Sequence, residues 1–365
     1  MAAPDPDCFP SPASVPFSFE LYPPKTDAGA TALHATIDHL AAAGPDFISV
    51  TYGANGSSRG SSLEVLSYIL RETRVDPMAH LTCVGSSHAQ ASALIREFLD
   101  AGIHSFLALR GDPPQGAREG DSFLGDIGSA AELVQLIQRV QAEKEPYRET
   151  VIPGLPRARQ LKTNRDRVRI GVAAFPNGHP LSRSTSQDID TLLAKQAAGA
   201  NLAITQLFFH ADHYLSFIQR AREAGVTFPI LPGIMPVTSP VRLRRILELS
   251  GEEVPAALSI ELEIEPTDAG QREIGIDHAV RLGRELLAGG APGLHLYAFN
   301  QHDTVLCVLE GCGALPNGRS TQPYRSADSH LSNPRLSDSR LSAPRLSAPR
   351  SRGSSRGPVT VKESQ

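Results

Sequence analysis

Residues 78–111 read MAHLTCVGSSHAQASALIREFLDAGIHSFLALRG, and this stretch decides the fold. An apolar run, Met78–Gly85, is followed by Ala89–Ala101, in which apolar residues recur at helical spacing, and then by a second apolar run, Ser105–Gly111. Nearly continuous apolar runs are typical of parallel strands that are buried on both faces. Gly102 stands where a helix commonly ends in the left-handed conformation. The stretch therefore predicts a strand, a crossover helix and a second strand parallel to the first.

The same unit repeats along most of the chain. The eight apolar, β-branched or aromatic runs are Val15–Tyr22, Asp46–Gly53, Met78–Gly85, Ser105–Gly111, Arg167–Pro176, Asn201–Phe209, Phe228–Val237 and Gly293–Asn300. Helix-like segments are Ala32–Ala43, Leu63–Arg71, Ala89–Ala101, Ala130–Val140, Asp188–Ala198, His213–Ala224, Pro240–Leu249 and Glu273–Leu287. Such alternation predicts a parallel sheet, and eight strands suit a closed barrel. A doubly wound sheet is the alternative, but no G-x-G-x-x-G follows the first run. We expect an α/β fold, a (β/α)8 TIM barrel.

We expect three parts: a disordered N-terminal segment (1–14), a (β/α)8 barrel (15–312) and a disordered Ser/Arg/Pro-rich tail (313–365). Within the tail, LSNPR, LSDSR, LSAPR and LSAPR follow one another, a five-residue period that matches neither helix nor strand. So little apolar content cannot offset the entropy lost on ordering. Residues 145–166 are polar and contain proline, and we interpret them as a surface excursion before the fifth strand.

The formal net charge of −4 is unevenly distributed, with +6 on residues 313–365 and −10 on residues 1–312. The mildly acidic charge of residues 1–312 gives no sign of the basic patch that binds nucleic acid. No run approaches the roughly 20 apolar residues that span a bilayer. The proline-rich N-terminus has no apolar core of a signal peptide. We expect a cytoplasmic protein that binds neither nucleic acid nor membrane.

Metal and nucleophile signals are weak in this sequence. The cysteines, Cys8, Cys83, Cys307 and Cys312, show neither metal-ligand spacing nor a disulfide framework. His210 and His213 are three apart but lack a matching acid or third ligand. No G-x-S-x-G elbow for a nucleophilic serine is found. We expect no metal, and reduced thiols in a reducing compartment.

Polar residues gather at the predicted carboxyl ends of the strands, where barrel enzymes carry their active sites. They are Glu20, Thr51, Tyr52, His80, Thr82, Arg110, Asp112, Phe175, His179, Thr205, Gln206, Tyr297 and Asn300. Glu20 is the strongest candidate for a functional residue. A charged side chain within an apolar strand costs free energy unless it is paired or serves a function. A salt-bridged strand-end carboxylate is the structural alternative for Glu20. Residues 110–112 could instead form an ordinary surface turn with no role in a site. His80 could instead be a core histidine whose ring nitrogens are hydrogen-bonded.

Eight blocks of the sequence resemble the methylenetetrahydrofolate reductase family. They are FSFELYPPKT (17–26), PDFISVTYGANGS (45–57), HLTCV (80–84), ALRGDPP (108–114), GVAAFPNGHP (171–180), AGANLAITQLFF (198–209), PGIMPV (232–237) and GLHLYAFN (293–300). They fall in order on all eight predicted strands, so together they are far more specific than any single motif. The resemblance implies a barrel that binds FAD non-covalently, oxidises NADH or NADPH, and reduces 5,10-methylenetetrahydrofolate to 5-methyltetrahydrofolate for methionine biosynthesis.

The resemblance also implies roles for individual residues. Glu20 matches the family's general acid, and Asp112 matches an aspartate near flavin and folate. Flavin contacts of the family fall on Tyr52, Ala54, His80, Arg110, Gly111, Asp112, Ala130, Phe175, His179, Asp188 and Lys195. Thr51 matches a nicotinamide contact, and Gln206 matches a glutamine shared by the nicotinamide and folate sites. Arg242 and Gln301 fall where one branch of the family has Gln and Arg around the folate.

Some matched positions depart from the family pattern. Phe175 stands where some relatives have Tyr, and Asn177 replaces the usual Glu. Thr191 and Ala194 replace an Asn and an Arg that contact flavin in one branch. These departures affect the contacts to the FAD phosphates and leave the reaction unchanged. The departures at Arg242 and Gln301 affect the contacts to the folate tail.

The resemblance leads to a mechanistic hypothesis. Protonation of N10 opens the bridged folate ring to a cationic iminium, which accepts hydride. We expect an apolar pocket to raise the pKa of Glu20, so that its carboxyl group holds this proton near neutral pH. Asp112, if ionised, would stabilise the iminium. Because Gln206 serves both substrates, we expect ping-pong kinetics, and we expect a homo-oligomer.

Two other functions are weighed against this one. A flavin-free pterin-binding or aldolase-type barrel enzyme would lack the absorption bands of a flavin. A non-catalytic regulatory barrel would act through its tail, but Glu20, Asp112 and Gln206 argue against loss of catalysis.

Overall fold

The computed structural model describes residues 15–51, 59–111, 124–144, 147–152, 155–163 and 168–315. Its strands are β1 (Phe17–Leu21), β2 (Phe47–Val50), β3 (Asp76–Thr82), β4 (Ser105–Leu109), β5 (Tyr147–Ile152), β6 (Leu155–Thr163), β7 (Arg169–Ala174), β8 (Leu202–Thr205), β9 (Ile230–Leu231), β10 (Gly233–Ile234) and β11 (Leu294–Tyr297). Its helices are α1 (Asp27–Ala42), α2 (Arg59–Glu72), α3 (His88–Asp100), α4 (Ala130–Lys144), α5 (Thr185–Ala198), α6 (Ala211–Glu223), α7 (Pro240–Ser250), α8 (Ala256–Ile264), α9 (Asp268–Ala288) and α10 (His302–Gly311).

One parallel sheet runs in the order β10-β11-β1-β2-β3-β4-β7-β8-β9. Its two end strands, β9 and β10, are consecutive pieces of chain on either side of Pro232, which has no N–H to donate. β9 pairs with β8 and β10 pairs with β11, so the two pieces act together as the seventh strand and close the barrel. The predicted TIM barrel and its eight strands are confirmed.

Side chains of the barrel strands alternate between an inner and an outer layer. The inner apolar residues are Phe47, Met78, Leu107, Leu202, Ile204 and Leu231. The outer residues, among them Phe19, Leu21 and Ile48, form one large buried cluster beneath the helices. The same alternation places Ser18 and Glu20 of β1 on the inner side. At these positions polar side chains replace the apolar residues of the inner layer.

Several helices begin at a serine or threonine that caps the free backbone N–H groups. Ser87 begins α3 with a capping box, since its hydroxyl accepts from Gln90 N (3.2 Å) and Gln90 Oε1 accepts from Ser87 N (2.9 Å). Ser184 caps α5 and Ser239 caps α7 with the hydroxyl alone, which accepts from Gln187 N and Arg242 N, respectively. These caps fix where the chain turns from each strand-end loop into its helix, and thus hold the loops that carry the polar residues.

A second apolar cluster lies above the barrel on its carboxyl side. Phe209, Met235 and Val237 from the strand-end loops pack against the buried faces of α7 and α8, which contribute Leu243, Ile246, Leu258 and Leu262. These two helices therefore cover one side of the barrel mouth. No helix in the described ranges is both long and apolar enough to traverse a lipid bilayer.

The structure differs from the sequence-based expectations in three places. Helices α8 and α10 were not predicted. The excursion before the fifth barrel strand forms an antiparallel pair, β5 and β6, on either side of Pro153-Gly154 in the sequence, a dipeptide typical of turns. The packed part of the chain also continues past 312, since Ala314 is buried and Leu315 packs against the core. Residues 1–14 and 316–365, predicted to be disordered, lie outside the described ranges.

Candidate active site

Glu20 lies inside the barrel near the carboxyl end of β1, and its side chain is 12% exposed. Two histidines face it, one from the adjacent strand β11 and one from β3, which is separated from β1 by β2. The Nε2 atom of His80 on β3 is 3.6 Å from Glu20 Oε2, and the Nε2 atom of His295 on β11 is 3.7 Å from the same oxygen. His295 is in turn anchored at its other ring nitrogen, since Nδ1 lies 2.8 Å from the hydroxyl of Ser18. The carboxylate thus lies in a polar pocket.

The environment of Glu20 corrects the expectation of a raised pKa. Burial raises the pKa of Glu20, but attraction to His80 and His295 outweighs burial and holds the pKa below its ordinary value. The reason for the error is that the inner positions beside Glu20 carry imidazoles and Ser18 rather than apolar groups. Burial and the neighbouring His295 lower the pKa of His80 despite the attraction of Glu20.

Two tyrosines complete the surroundings of Glu20. Burial and the charge of Glu20 raise the pKa of both Tyr22 and Tyr297 above the ordinary value, so both remain neutral phenols. The hydroxyl of Tyr297 donates to the carbonyl of Thr205 at 2.8 Å, and the hydroxyl of Thr205 accepts from Gly233 N at 2.9 Å. These bonds tie β8, β10 and β11 together beside the carboxylate.

A second polar group forms where β4 and β7 end. Arg110 follows β4, and the loop after β7 leads to His179, whose ring makes an edge contact with Phe175 at 4.7 Å between centroids. Asp188 on α5 accepts from the backbone N–H of His179 (3.3 Å) and from the hydroxyl of Ser182 (2.5 Å). Burial lowers the pKa of His179, and the charge of Arg110 lowers it further.

Lys195 on α5 belongs to the same group. Its Nζ atom donates to the carbonyl of Ala173 at 2.9 Å, and the residue is buried. Burial lowers the pKa of Lys195 to about 8, with Asp188 opposing the shift and Arg110 adding to it. The structure therefore brings Arg110, His179, Asp188 and Lys195 together, as the sequence predicted, and the group has an excess of cationic side chains.

A third group lies beneath α7. The guanidinium of Arg242 lies over the ring of Phe299, 5.5 Å from its centroid, and Nη1 donates to the hydroxyl of Thr238 at 3.1 Å. Phe299 and Asn300 both have positive φ, at 48° and 58°. Asn300 holds this strained turn by exchanging two hydrogen bonds with the backbone of Tyr22, of 2.9 and 3.0 Å. The turn thus places Phe299 between Tyr22 and Arg242 at the mouth of the barrel.

The remaining predicted residues are spread around the mouth. Thr51 is half-buried after β2, and its N–H donates to Leu21 O at 3.0 Å. Gln206 is half-buried after β8 and accepts from Leu207 N at 2.9 Å. Ala130 is buried at the first position of α4. Gly111 has φ +82°, and a Cβ there would lie 2.5 Å from Val84 Cγ2, so only glycine fits.

Some predictions are not brought into these groups. Gln301 is exposed at the start of α10, and its side chain makes no capping hydrogen bond. Tyr52, Ala54 and Asp112 lie outside the described ranges. Asn177, which replaces the usual family Glu, donates from Nδ2 to Glu252 Oε2 at 2.5 Å.

Sequence reasoning missed His295 and Ser18. His295 stands within an apolar run, and no motif singled it out. The two-residue period of the strands could have identified both residues. It places Ser18 on the same inner face as Glu20, and His295 on the same inner face as Tyr297.

The chain is similar in sequence to proteins of one family. The sequence profile of the family described as methylenetetrahydrofolate reductase matches residues 10–313. A probable methylenetetrahydrofolate reductase (NADH) of Oryza sativa subsp. japonica is 32% identical over 312 residues, which are 85% of this chain and 50% of the plant protein. The 5,10-methylenetetrahydrofolate reductase of Salmonella typhimurium is 31% identical over 300 residues, 82% of this chain and 91% of the bacterial protein.

The chain thus spans about half the length of the plant relatives and most of the bacterial one. Among solved structures, an uncharacterised Clostridium thermocellum protein that binds two copies of 5-methyl-5,6,7,8-tetrahydrofolic acid superposes with a TM-score of 0.53. Its identity is 12% over 82% of this chain and 94% of that one, so it supports the barrel fold alone. From the profile match and the bacterial relative, the chain belongs to the methylenetetrahydrofolate reductase family.

Proposed function

We propose that this protein reduces 5,10-methylenetetrahydrofolate to 5-methyltetrahydrofolate, with NAD(P)H as the hydride donor and FAD as a non-covalent cofactor. One observation carries the proposal: Glu20 and the group formed by Arg110, His179 and Lys195 lie at the same end of one barrel. Carboxyl ends of barrel strands are where such enzymes assemble their sites. The arrangement offers an acid for the substrate beside donors for an anionic cofactor.

The residues of the second polar group fit the pyrophosphate of FAD. Arg110 presents a planar fork of N–H donors, Lys195 presents a point charge, and His179 presents an imidazole. The pKa of Lys195 is lowered to about 8 by burial and by Arg110, which means that its charged form lacks full compensation in the protein alone. A bound pyrophosphate would supply this compensation. Asp188 orients the loop by accepting from the His179 N–H.

When bound, FAD would supply the hydride chemistry, taking hydride from NAD(P)H and giving it to the folate. This chain's residues bind and orient the reactants. Phe175 offers a ring edge-on to His179, and position 111 at the end of β4 admits only glycine, because a Cβ there would meet Val84 and Thr82. Thr51, His80 and Ala130 line neighbouring strand ends or helix starts, and we assign them to the cofactor pocket with Tyr52, Ala54 and Asp112.

For the folate, the third group supplies the binding residues. Arg242, held by Thr238 and stacked on Phe299, offers a charge to the carboxylate tail. Gln206 at the end of β8 offers an amide to the pterin, and in turn to the nicotinamide. We retain Gln301 as a folate contact from its place at the start of α10. Shared use of Gln206 favours ping-pong kinetics.

Glu20 acts on the substrate by handing a proton to N10, which opens the bridged ring to an iminium that accepts hydride. General acid catalysis of this kind contributes about 10²–10⁴-fold in rate. The plant relatives are named for NADH, so NADH is the donor to test first. The product would feed methionine synthesis. A cytoplasmic location and a homo-oligomer remain predictions.

An anaerobic spectral titration tests the function. The purified protein should show flavin absorption near about 450 nm, which NADH should bleach and methylenetetrahydrofolate should then restore, with methyltetrahydrofolate as product. Protein that neither carries nor binds FAD, or reduced protein that the folate does not reoxidise, would overturn the proposal and favour a flavin-free barrel enzyme or a non-catalytic one.

A further inference from the structure

The contact between Glu20 and His295 is built deep inside the barrel. His295 is 0% exposed, and Ser18 beneath it is 0% exposed as well. Neither can exchange a proton directly with solvent. Glu20, at 12% side-chain exposure, is the member of the chain Ser18–His295–Glu20 that reaches the mouth. Any proton that enters or leaves His295 along this chain must pass through the carboxylate.

The ring nitrogens of His295 are in different situations. Nδ1 is bonded to the hydroxyl of Ser18 at 2.8 Å, whereas Nε2 is buried and has no hydrogen-bond partner among the described residues. A serine hydroxyl accepts from a protonated Nδ1, and Nδ1 keeps its proton when Nε2 gives one up. The Ser18 contact therefore survives a change in the charge of the imidazole, and it keeps Nε2 directed at Glu20 in both states.

Other groups near Glu20 are less suited to hold a mobile proton. Tyr22 and Tyr297 remain neutral because burial and Glu20 raise their pKa. Burial lowers the pKa of His80, which favours its neutral form. His80, His295, Tyr22 and Tyr297 are the titratable side chains that face Glu20 within the described part of the chain.

We propose that His295, held by Ser18, is a positioning residue that stores the proton that Glu20 delivers to the substrate. The inference rests on the proposed function. Before the step, Nε2 of His295 carries the proton and Oε2 of Glu20 is its acceptor. During turnover the Nε2–H bond breaks as Glu20 Oε2 gains the proton, and the O–H bond breaks in turn as N10 of the folate gains it. The pair is left with one proton fewer, and solvent at the mouth restores it through Glu20 after product leaves.

The test compares two half-reactions across pH in His295→Gln, which keeps the bulk but cannot titrate. Folate reduction should slow by about 10²-fold at neutral pH, and the alkaline fall of its pH profile should move to lower pH by more than about one unit, since Glu20 alone then holds the proton. Flavin reduction by NADH should change by less than about twofold, since it needs no proton from Glu20.

His278→Gln is the matched control. His278 on α9 also has a buried Nε2 without a partner among the described residues, but it lies by Phe209 and away from Glu20. Its pH profile should equal that of the wild type. Ser18→Ala leaves the ring in place and should shift the profile in the same direction as His295→Gln, which keeps the inference testable if the latter does not fold.

A wild-type profile in His295→Gln or Ser18→Ala, or equal slowing of both half-reactions, would overturn the role of His295 and leave the proposed function standing. Wild-type protein that never reduces methylenetetrahydrofolate would instead contradict the proposed function itself.

Discussion

The Nε2 atom of His295 lies 3.7 Å from Oε2 of Glu20, and the two residues come from adjacent strands, β11 and β1, that close the barrel. In the β1–β11 register Glu20 is level with Tyr297 and Ser18 is level with His295. Because inward side chains alternate along each strand, the carboxylate lies one layer above the imidazole. Attraction to His80, together with this pairing, explains why a buried carboxylate keeps a pKa below its ordinary value.

Replacing Lys195 by Ala should give protein without flavin. Lys195 is the buried cation of the group that we assign to the FAD pyrophosphate, and loss of a charge-assisted hydrogen bond costs about 1.5–3 kcal/mol, or roughly 10- to 150-fold in affinity. The ratio of flavin to protein absorbance measures the flavin content of the purified variant. Lys144→Ala, which removes a surface lysine paired with Asp100, should stay yellow. A fully yellow Lys195→Ala would contradict the assignment.

FAD binding should weaken as pH rises through about 8, the value to which burial lowers the pKa of Lys195. Below this pH the side chain is charged and attracts the pyrophosphate, and above it the neutral amine does not. The bound anion raises the pKa of Lys195, so the FAD dissociation constant should rise by up to about tenfold per pH unit. Fluorescence titration of FAD between about pH 7 and 9.5 would measure this.

The matched variant for this pH dependence is Lys195→Arg, whose guanidinium stays charged over the whole range. Its FAD dissociation constant should vary little with pH, whatever its value at pH 7. A dissociation constant of the wild type that is flat across the same range would show that Lys195 does not face the cofactor.

Replacing Arg242 by Ala should raise the KM for the folate by about tenfold, since a hydrogen bond to a charged group contributes about 1.5–3 kcal/mol. The FAD content should not change. Steady-state kinetics with NADH saturating would measure the effect. Arg245→Ala is the control, because Arg245 is on the same helix but pairs with Glu248 at 3.1 Å. An unchanged KM in Arg242→Ala would remove Arg242 from the folate site.

Gly275→Ala should destabilise the protein by about 1–3 kcal/mol, the usual cost of overpacking. A Cβ at Gly275 on α9 would lie 2.0 Å from the carbonyl oxygen of Val237, which belongs to the loop above the barrel. Gly60→Ala on α2 is the matched control, since its Cβ would meet nothing within 4 Å. That change should stabilise by up to about 1 kcal/mol. Thermal melts of both variants measure these changes in stability. Equal melting temperatures would contradict the close packing at Gly275.

Much of the fold follows from local patterns. The eight barrel strands were predicted because each is a short apolar run between helix-like segments, as Ser105–Gly111 illustrates. Helix α8 was missed because Ile260, Leu262 and Ile264 alternate with Glu261 and Glu263, which is a strand-like period. Its place as a helix depends on packing of Leu258 and Leu262 against the loops above the barrel, which is non-local.

The site was predictable only in part for the same reason. Motif blocks identified Glu20, Arg110 and His179, and the family resemblance added Lys195. The pairing of β4 with β7 brings Arg110, His179 and Lys195 together. The direction of the pKa shift of Glu20 was predicted wrongly, because it depends on His80 and on His295, which lies 275 positions away in the sequence. Such a contact exists only once β11 pairs with β1, and no local pattern reports it.

Glu20→Gln, followed through the two half-reactions separately, shows whether Glu20 is the acid that protonates the folate. The amide keeps the size of the side chain but cannot deliver a proton to the folate. The account predicts that NADH still reduces the bound flavin at close to the wild-type rate, whereas methylenetetrahydrofolate no longer reoxidises it. If the variant reduced the folate at a rate near that of the wild type, Glu20 would not be the acid and the account would be contradicted.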